Sequence, residues 1–369
     1  MTQSATSPSN PQPNPQPILQ PGEGPIRAAH YLPSDPAAVF WGRLPCASDT
    51  AVLEVDPGTE VTIDTISHEG ILEDQGSDPA AFFAAHGVAA DAVLSDAIEL
   101  TATRRRDPAI DGPHVVTGPI AVRGARVGDL LAITVLETLP RVPYGVISNR
   151  HGRGALPGEM PRGDSNVSIF SPVDASGTSA ALPRVAGAER DVHFPLAPFL
   201  GIMGVAAAGH ERPHSVPPGA FGGNIDIKLL TVGSTLYLPV QVEGALAYVG
   251  DPHFAQGDGE VALTALEASL RATVRFDVVP TSDPLAAFAR EHGPFVETAE
   301  YLVPTGLDAD LREAMKKAVR AAIALLHARY GMDPEHAYAY LSAASDFDVS
   351  QVVDLVCGVH ARIRKADFA

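Results

Sequence analysis

The stretch AVLEVDPGTEVTIDTI, residues 51–66, alternates apolar and polar side chains on both sides of Asp56-Pro57-Gly58. Alternation with a period of two puts one row of side chains in a core and the other toward solvent, which is the pattern of a β-strand. Proline and glycine between the two halves favour a turn. The stretch therefore predicts two strands joined by a turn, arranged either as a hairpin or as a strand-turn-strand unit.

Strand patterns recur along much of the chain. Residues 120–139 predict two strands, and residues 225–230 and 235–243 predict one each. Residues 260–279 also read as a strand, although their alanine and leucine content leaves a helix as the alternative. The chain has 33 glycines, 33 prolines and only 6% aromatic residues, a composition that favours short strands and turns. The predicted fold is mainly β, of the α+β class, with a sandwich-like or barrel-like body.

The C-terminal end has helical patterns. From Asp308 through His327, apolar side chains recur on one stripe of a helix. A second helix is predicted from Asp333 through Leu341, and residues 346–357 are compatible with a third. Residues 78–94 predict two further short helices.

The predicted organisation has three parts. Residues 1–25 form a disordered arm rich in proline, glutamine and serine, residues 26–280 a mainly β catalytic body, and residues 281–369 a helical part packed on that body. The arm does not have the apolar core of a secretion signal, and no apolar run approaches the roughly 18 residues of a membrane span. We therefore expect a cytoplasmic protein that does not bind membranes.

Charge and cysteine content exclude several classes. The net charge is −18, and the one basic run, residues 104–106, is followed at once by Asp107 and Asp111. Binding to nucleic acid needs clustered lysine and arginine, so no nucleic-acid partner is expected. Cys46 and Cys357 lie far apart with no CxxC spacing, which argues against a disulfide framework and a thiolate metal site.

The sequence GDPHFAQGDGE, residues 250–260, concentrates chemistry in a short segment. It places the carboxylates of Asp251, Asp258 and Glu260 around the imidazole of His253. Glycine and proline favour a turning backbone that can pass close to a ligand. Carboxylate oxygens and imidazole nitrogens are the donors that divalent cations bind. We interpret the segment as a metal or acid-base site, and the alternative is an acidic turn between strands.

This segment resembles the signature of the acetamidase/formamidase family of small-amide hydrolases. Further motifs fall in the expected order: SHEG at residues 67–70, GPHVVTGPI at 112–120, GGNIDIK at 222–228 and GVHA at 358–361. The resemblance runs from about His30 to about Lys365. It implies an amidohydrolase that converts a short-chain aliphatic amide, such as acetamide or formamide, to carboxylate and ammonia.

Amide hydrolysis requires an activated water, a stabilised oxyanion and a protonated leaving amine. A divalent metal can supply the first two, and a nearby carboxylate can move the proton. The GxSxG motif of a serine hydrolase is absent from the sequence. Zinc is the favoured metal, with manganese, iron and calcium as alternatives.

The site residues follow from the motifs and the resemblance. The expected metal ligands are His68, His114, Asp251 and His253. The expected proton shuttle is Glu260 or Asp258, and the expected substrate-binding residues are Asn224, Asp226 and His151. The alternative function is a non-catalytic module with a structural calcium site, and the histidines argue against it because calcium avoids imidazole.

Two expectations concern assembly and access. The apolar stripe of the long C-terminal helix suits burial in a homodimer or a multiple of it, unless the stripe packs on its own β body. Residues 150–190 are dense in glycine, proline and serine and are long for a structureless loop. We expect them to form a lid or pocket wall that narrows the choice among amides.

Overall fold

The computed structural model describes residues 17–368, which contain twenty strands and five α-helices. The strands are β1 His30–Leu32, β2 Phe40–Trp41, β3 Leu53–Val55, β4 Thr59–Asp64, β5 Val115–Val122, β6 Leu130–Pro140, β7 Tyr144–Asn149, β8 Val167–Pro172, β9 Ser179–Leu182, β10 Val192–Pro195, β11 Phe199–Gly204, β12 Gly222–Asn224, β13 Thr235–Pro239, β14 Ala247–Ala255, β15 Leu266–Glu267, β16 Leu270–Val279, β17 Phe295–Glu297, β18 Tyr301–Asp308, β19 Asp346–Gln351 and β20 Cys357–Arg364. The helices are α1 Pro79–Ala84, α2 Ser95–Thr103, α3 Pro284–His292, α4 Leu311–Tyr330 and α5 Pro334–Ala344.

The strands form two large sheets and one small one. The first sheet has nine strands in the order β1-β4-β16-β6-β13-β17-β18-β20-β19. The second follows the order β12-β11-β14-β15-β7-β8, with β5 also pairing β14 and with β2 and β3 pairing β5. Strands β9 and β10 form a separate pair. The body is therefore mainly β, as the sequence predicted.

Both faces of the first sheet are buried. Adjacent residues of a strand belong to different cores. In β17, Val296 packs in the core shared with the second sheet, whereas Phe295 packs with the helices. In β18, Val303 and Leu302 are divided in the same way. Neighbouring side chains in a strand point to opposite faces, so these two cores lie on opposite sides of the sheet. The second sheet covers one face, and α3, α4 and α5 cover the other.

The two halves of residues 51–66 form strands that do not pair with each other. β3 pairs in parallel with β5, and β4 pairs with β1 and β16. Gly58 has a φ of 85° in the turn between them. The strand-turn-strand interpretation is confirmed, and the hairpin is wrong because the chain changes sheet at this turn.

Two local predictions are wrong. The strand expected at residues 225–230 lies earlier, at β12, and Asp226 has a φ of 47° that takes the backbone out of a strand. Residues 346–357 are not helical, because Asp346–Gln351 pairs with β20 as β19. The strand interpretation of residues 260–279 is confirmed over β15 and β16, whereas residues 260–265 are not in a strand.

The C-terminal part is mixed, not simply helical. Strands β17 to β20 extend the first sheet, α3 precedes β17, and α4 and α5 lie between β18 and β19 in the chain. Asp310 caps α4 by accepting hydrogen bonds from the backbone N–H groups of Arg312 at 2.9 Å and Glu313 at 3.0 Å. Gly331 ends the helix in the left-handed conformation.

The stripe of α4 packs on its own sheet. Ala314, Ala318 and Ala322 are fully buried. A side chain at Gly306 of β18 would collide with the backbone of α4, so glycine allows the helix to lie close to the strand. The apolar stripe is therefore used within the chain and gives no support to a dimer.

The N-terminal arm is only partly within the described region. Residues 1–16 lie outside it. Leu19 is buried, its N–H donates to the carbonyl of Arg141 at 2.9 Å, and Arg271 donates to the carbonyls of Gln20 and Pro25 at 3.1 Å each. The chain from Leu19 onward is thus packed on the body, which corrects the disordered interpretation for that portion. Within residues 17–368, no helix has both the length and the apolar content to cross a membrane.

Candidate functional site

Five buried side chains from both sheets converge at one place. His68 follows β4, His114 directly precedes β5, Asp251 and His253 lie in β14, and Glu267 lies in β15. Strand β14 pairs with β5 and β15 along one edge and with β11 along the other. Each of the five residues is at most 5% exposed. Strand pairing therefore assembles a site that no single segment could supply.

Asp251 is the centre of the cluster. Its Oδ1 lies 3.3 Å from Nδ1 of His68 and 3.8 Å from Nε2 of His114. Its Oδ2 lies 3.1 Å from Nε2 of His253, which is also 3.1 Å from Oε1 of Glu267. Three imidazoles and two carboxylates thus present their donor atoms to one small volume.

A second group of donors adjoins the first. One ligand atom from each of Asp226, His253 and Glu260 lies within 4.8 Å of the other two, and all three residues are buried. Asp354 lies beside this group, where its Oδ2 accepts a hydrogen bond from Nδ2 of Asn224 at 3.1 Å. His253 connects the two groups.

Several donor atoms in the cluster have unmet bonding capacity. Some of these atoms lie 3.1–3.3 Å from a group of opposite charge, but within the described chain none makes a hydrogen bond of normal geometry: His68 Nδ1, Asp251 Oδ1, His253 Nε2, Glu267 Oε2 and both carboxylate oxygens of Asp226. Leaving a buried polar atom unsatisfied costs about 1–3 kcal/mol, so such a concentration needs a compensating ligand. A mixed set of nitrogen and oxygen donors fits a divalent ion such as zinc.

The other nitrogen of each imidazole is held by a neighbour. The pairs are His68 Nε2 with Glu69 Oε1 at 3.3 Å, His114 Nδ1 with Ser215 Oγ at 3.1 Å, and His253 Nδ1 with Gln256 Oε1 at 3.1 Å. Such contacts fix the tautomer and orientation of ligating histidines. Arg150 in turn donates from Nη1 to Oε1 of Glu69 at 2.9 Å and from Nε to Oδ2 of Asp74 at 2.7 Å.

The carboxylates and the histidines shift one another's pKa values. Burial alone would lower the pKa of His68, but the charges of Glu267, Asp251 and Glu69 outweigh it and raise the pKa to about 10. Burial acts to raise the pKa of Glu69, yet His68 and Arg150 lower it to about 2. His114 differs, because burial dominates and lowers its pKa to about 4. His114 is therefore neutral at pH 7, which is the form that binds a metal.

The acidic residues divide into two kinds. Burial and the charge of Asp251 raise the pKa of Asp226 well above its usual value, and burial with the charges of Asp226 and Asp354 does the same for Glu260. Burial and neighbouring carboxylates raise the pKa of Asp354 to about 8. For Asp251, burial is outweighed by His114 and His253, which hold its pKa well below the usual value. The cluster can thus hold protons on some carboxyls while Asp251 stays ionised.

The backbone at the acidic residues is unusual. Asp226, Asp251, Glu260 and Asp354 have φ values of 47°, 49°, 46° and 63°. Residues other than glycine are uncommon in this left-handed region, and such conformations concentrate at functional sites. These four carboxylates, of which that of Asp354 is half-buried and the others are buried, are therefore positioned by backbone geometry that only the surrounding fold can maintain.

The cluster opens into a cavity of about 490 Å³. Among the polar and charged side chains on its wall are those of His68, His114, Arg150, Asn224, Asp251, Glu260, Glu267 and Asp354. From the stretch 150–190, only Arg150, Gly152, Arg153 and Gly154 line it. The rest of that stretch includes β8 and β9 and, among the described residues, does not reach the cavity wall.

The structure brings most of the expected site residues together. His68, His114, Asp251 and His253 share the first group of donors. Glu260 lies in the second group, and Asn224 lines the cavity.

Three expected residues are placed differently. Asp258 is exposed and pairs with Lys228 at 2.6 Å, outside the cluster, so we do not retain it as a proton shuttle. His151 is exposed and does not line the cavity, although its neighbour Arg150 does. Asp226 is buried among the metal donors and not on the cavity wall, so it suits a cation better than a substrate.

Glu267, Asp354 and Arg150, which holds Glu69 beside His68, are not among the site residues predicted from the sequence. A glutamate in an otherwise apolar strand, LTALEASL at residues 263–270, was the available signal for Glu267. The sequence has no comparable signal for Asp354, because residues 346–357 are compatible with a helix. Arg150 could be found only from its tertiary contacts.

Comparison with known proteins identifies the family of this chain. The model of the Acetamidase/Formamidase family matches residues 99–211 and 205–363, a span that includes His114, Asp251, His253, Glu260 and Glu267. This chain belongs to the acetamidase/formamidase family.

Two curated family proteins are similar to part of the chain. A formamidase from Methylophilus methylotrophus is 30% identical over 199 residues, which is 42% of this chain and 49% of that protein. An acetamidase from Mycolicibacterium smegmatis is 30% identical over 209 residues, or 42% of this chain and 51% of that protein. The chain spans about half the length of the curated relatives it matches.

The fold is shared more widely than the sequence. The crystal structure of an acetamidase from Bacillus halodurans superposes with a TM-score of 0.72 at 24% identity, covering 92% of this chain and 98% of that one. At this identity the similarity establishes the fold, and the proposed activity must be argued from the site.

Proposed function

We propose that this acetamidase/formamidase family member hydrolyses a short-chain aliphatic amide to a carboxylate and ammonia with the help of a bound divalent metal ion. One observation carries the proposal: three buried histidines converge with Asp251 and Glu267, several of their donor atoms lack a hydrogen bond, and all but His253 line a cavity large enough for an amide. The curated relatives named formamidase and acetamidase support the same reaction class.

The first group of donors is the proposed metal site. His68, His114, Asp251, His253 and Glu267 would hold the ion, with zinc favoured because imidazoles provide three of the five donors. When bound, such an ion supplies a water acidified to a pKa of about 7 and a Lewis acid for the amide carbonyl. Glu69, Ser215 and Gln256 keep the three rings in the orientation that the site requires.

Glu260 is the proposed proton carrier. It is buried, it lines the cavity, and its Oε2 has no hydrogen-bond partner in the described part of the chain. Burial and the nearby Asp226 and Asp354 raise the pKa of Glu260 well above its usual value, which favours the protonated carboxyl. A carboxyl in this state can deliver a proton to the leaving nitrogen and regain one from the attacking water.

The calcium-binding alternative has less support. Calcium prefers six to eight oxygen donors, and the acidic residues of the second group resemble such a set. His253 belongs to both groups, however, and His68 and His114 complete a nitrogen-rich centre beside it. Nitrogen donors favour zinc, iron or manganese over calcium.

One experiment separates the two functions. The purified protein is analysed for metals and assayed for ammonia release from formamide, acetamide and propionamide, before and after chelation and after zinc is restored. We expect bound transition metal and ammonia release that chelation abolishes and zinc restores. Bound calcium with no ammonia release would support the structural module instead.

A homo-oligomer remains our proposal for the assembly. Closed symmetric dimers and their multiples are the usual assemblies of such chains, although α4 no longer provides the interface. Light scattering at micromolar concentration measures the mass directly, and a single-chain mass would contradict the proposal.

A further inference from the structure

We infer that the amide hydrolysed at this site carries an unbranched apolar acyl chain of about four to six carbons, longer than the acyl groups of formamide and acetamide. The inference rests on the proposed amide hydrolysis and specifies its substrate class. The size of the cavity and the apolar side chains on its wall point to it.

The cavity is too large for acetamide alone. Its volume is about 490 Å³. A water molecule takes up about 30 Å³ in the liquid, so four non-hydrogen atoms of acetamide need roughly 120 Å³. An amide that reached the donor cluster would leave most of the cavity to water unless its acyl chain extended outward.

Part of the cavity wall is apolar. Leu263, Val352, Val353 and Leu355 line it together, close in sequence to Glu260 and Asp354. Leu355 is 75% exposed, the highest exposure of any large apolar side chain in the described region. Exposed apolar surface on a cavity wall is typical of a ligand-binding surface.

Two leucines of this wall have strained backbones. Leu263 has a φ of 107° and Leu355 a φ of 65°. Bulky side chains rarely adopt this region, and positions that keep them there are concentrated at ligand sites. Apolar side chains thus occupy turn positions where glycine or asparagine would be less strained, which indicates that their surface is needed.

Two of the three arginines on the cavity wall are already paired with carboxylates. Arg106 pairs with Glu73, and Arg150 pairs with Glu69 and Asp74. Arg153 is exposed at the mouth and, among residues 17–368, has no carboxylate within the 4.0 Å of a salt bridge. A carboxylate-bearing tail could pair with Arg153, which also lines the cavity, so amides with such a tail are the competing substrate class.

The test measures kcat/KM for the zinc-loaded enzyme with the unbranched amides from formamide to hexanamide. Each methylene that packs on the wall should raise kcat/KM about fourfold, the equivalent of about 0.8 kcal/mol, up to five or six carbons. Equal or lower kcat/KM for pentanamide and hexanamide than for acetamide would overturn the inference and leave the proposed function standing. Ammonia release from none of the amides would remove the proposed function itself, and the inference with it.

Substitutions of a wall residue test whether the apolar wall causes the preference for longer amides. Leu355→Ala should lower the hexanamide-to-acetamide ratio of kcat/KM about tenfold, and Leu355→Met should restore most of it. Val127→Ala is the matched control, because Val127 is 64% exposed and does not line the cavity. An unchanged ratio in Leu355→Ala would contradict the role of the wall.

The competing class is tested in the same assay. Succinamic acid carries a carboxylate at the far end of a short amide. If it is the best substrate and Arg153→Gln removes that preference, the tail binds Arg153 and the apolar inference is wrong.

Discussion

Gly201 of β11 and Asp251 of β14 face each other so closely that a methyl group on Gly201 would lie 2.7 Å from Oδ2 of Asp251. The same methyl group would lie 2.5 Å from Oδ1 of Asp226 and 2.7 Å from Cε1 of His253. Real Cβ atoms essentially never approach other atoms this closely. The absence of a side chain on β11 is therefore what allows the donors of the proposed metal site to meet.

Gly201→Ala should displace this cluster while keeping the fold. A misplacement of about 1 Å can cost about 10²-fold in turnover, so we expect a loss of at least that size in kcat/KM together with weaker metal binding. Gly257→Ala is the control, because an added Cβ there meets no atom within 4 Å. Equal activity of the two variants would show that the cluster adapts to the methyl group.

His68→Ala should remove metal. The imidazole contributes a donor beside Asp251, and even outer contacts of a metal site are typically worth 10–100-fold in affinity, so a larger loss is expected here. Elemental analysis after dialysis measures it. His327→Ala, on the exposed face of α4, is the control and should keep its metal. Full metal content in His68→Ala would exclude His68 as a ligand.

Glu260→Gln should retain the fold and the metal and lose about 10²–10⁴-fold in turnover, because glutamine cannot carry the proton. Asp258→Asn is the matched control, since Asp258 pairs with Lys228 outside the cluster. Loss of metal together with activity would make Glu260 a ligand. Turnover near normal would remove it from the mechanism.

Metal binding should release protons. Without a cation the neighbouring carboxylates raise the pKa of His68 to about 10, so its ring is protonated at pH 7.5 and must lose that proton to bind a metal. Affinity should therefore fall as the pH decreases. Calorimetry of zinc binding in two buffers of different ionisation enthalpy measures the protons released, and a value of zero would contradict this account.

Asp64→Asn should destabilise the fold. Asp64 accepts hydrogen bonds from Nε of Arg271 at 2.6 Å and Nη2 at 2.9 Å, and both side chains are fully buried. Breaking a buried pair on one side typically costs about 3–5 kcal/mol, which urea unfolding would show. The exposed pair of Arg275 and Asp277 provides the control, because Asp277→Asn should cost at most about 1 kcal/mol. Similar losses in both variants would mean that burial of the first pair has no special effect.

Local patterns in the sequence were enough to predict several strands and helices. Alternation predicted β3 to β6, and the apolar stripe with its glycine stop predicted α4, because these signals depend on neighbours within a few residues. The family motifs pointed to His68, His114, Asp251, His253 and Glu260, and the histidines among carboxylates indicated a metal.

Only the tertiary structure decided how these parts combine. The sequence of residues 51–66 is equally consistent with a hairpin, and the choice depends on β5 and β16, which are distant in the chain. Asp258 and Glu260 have similar sequence surroundings, yet positive φ and burial at Glu260 turn it to the cluster while Asp258 pairs with Lys228. Glu267 becomes a donor because β15 pairs with β14 beside His253. The chemistry of each side chain depends only on its residue type, whereas the distances between the side chains of the site are set by pairing between strands far apart in the chain.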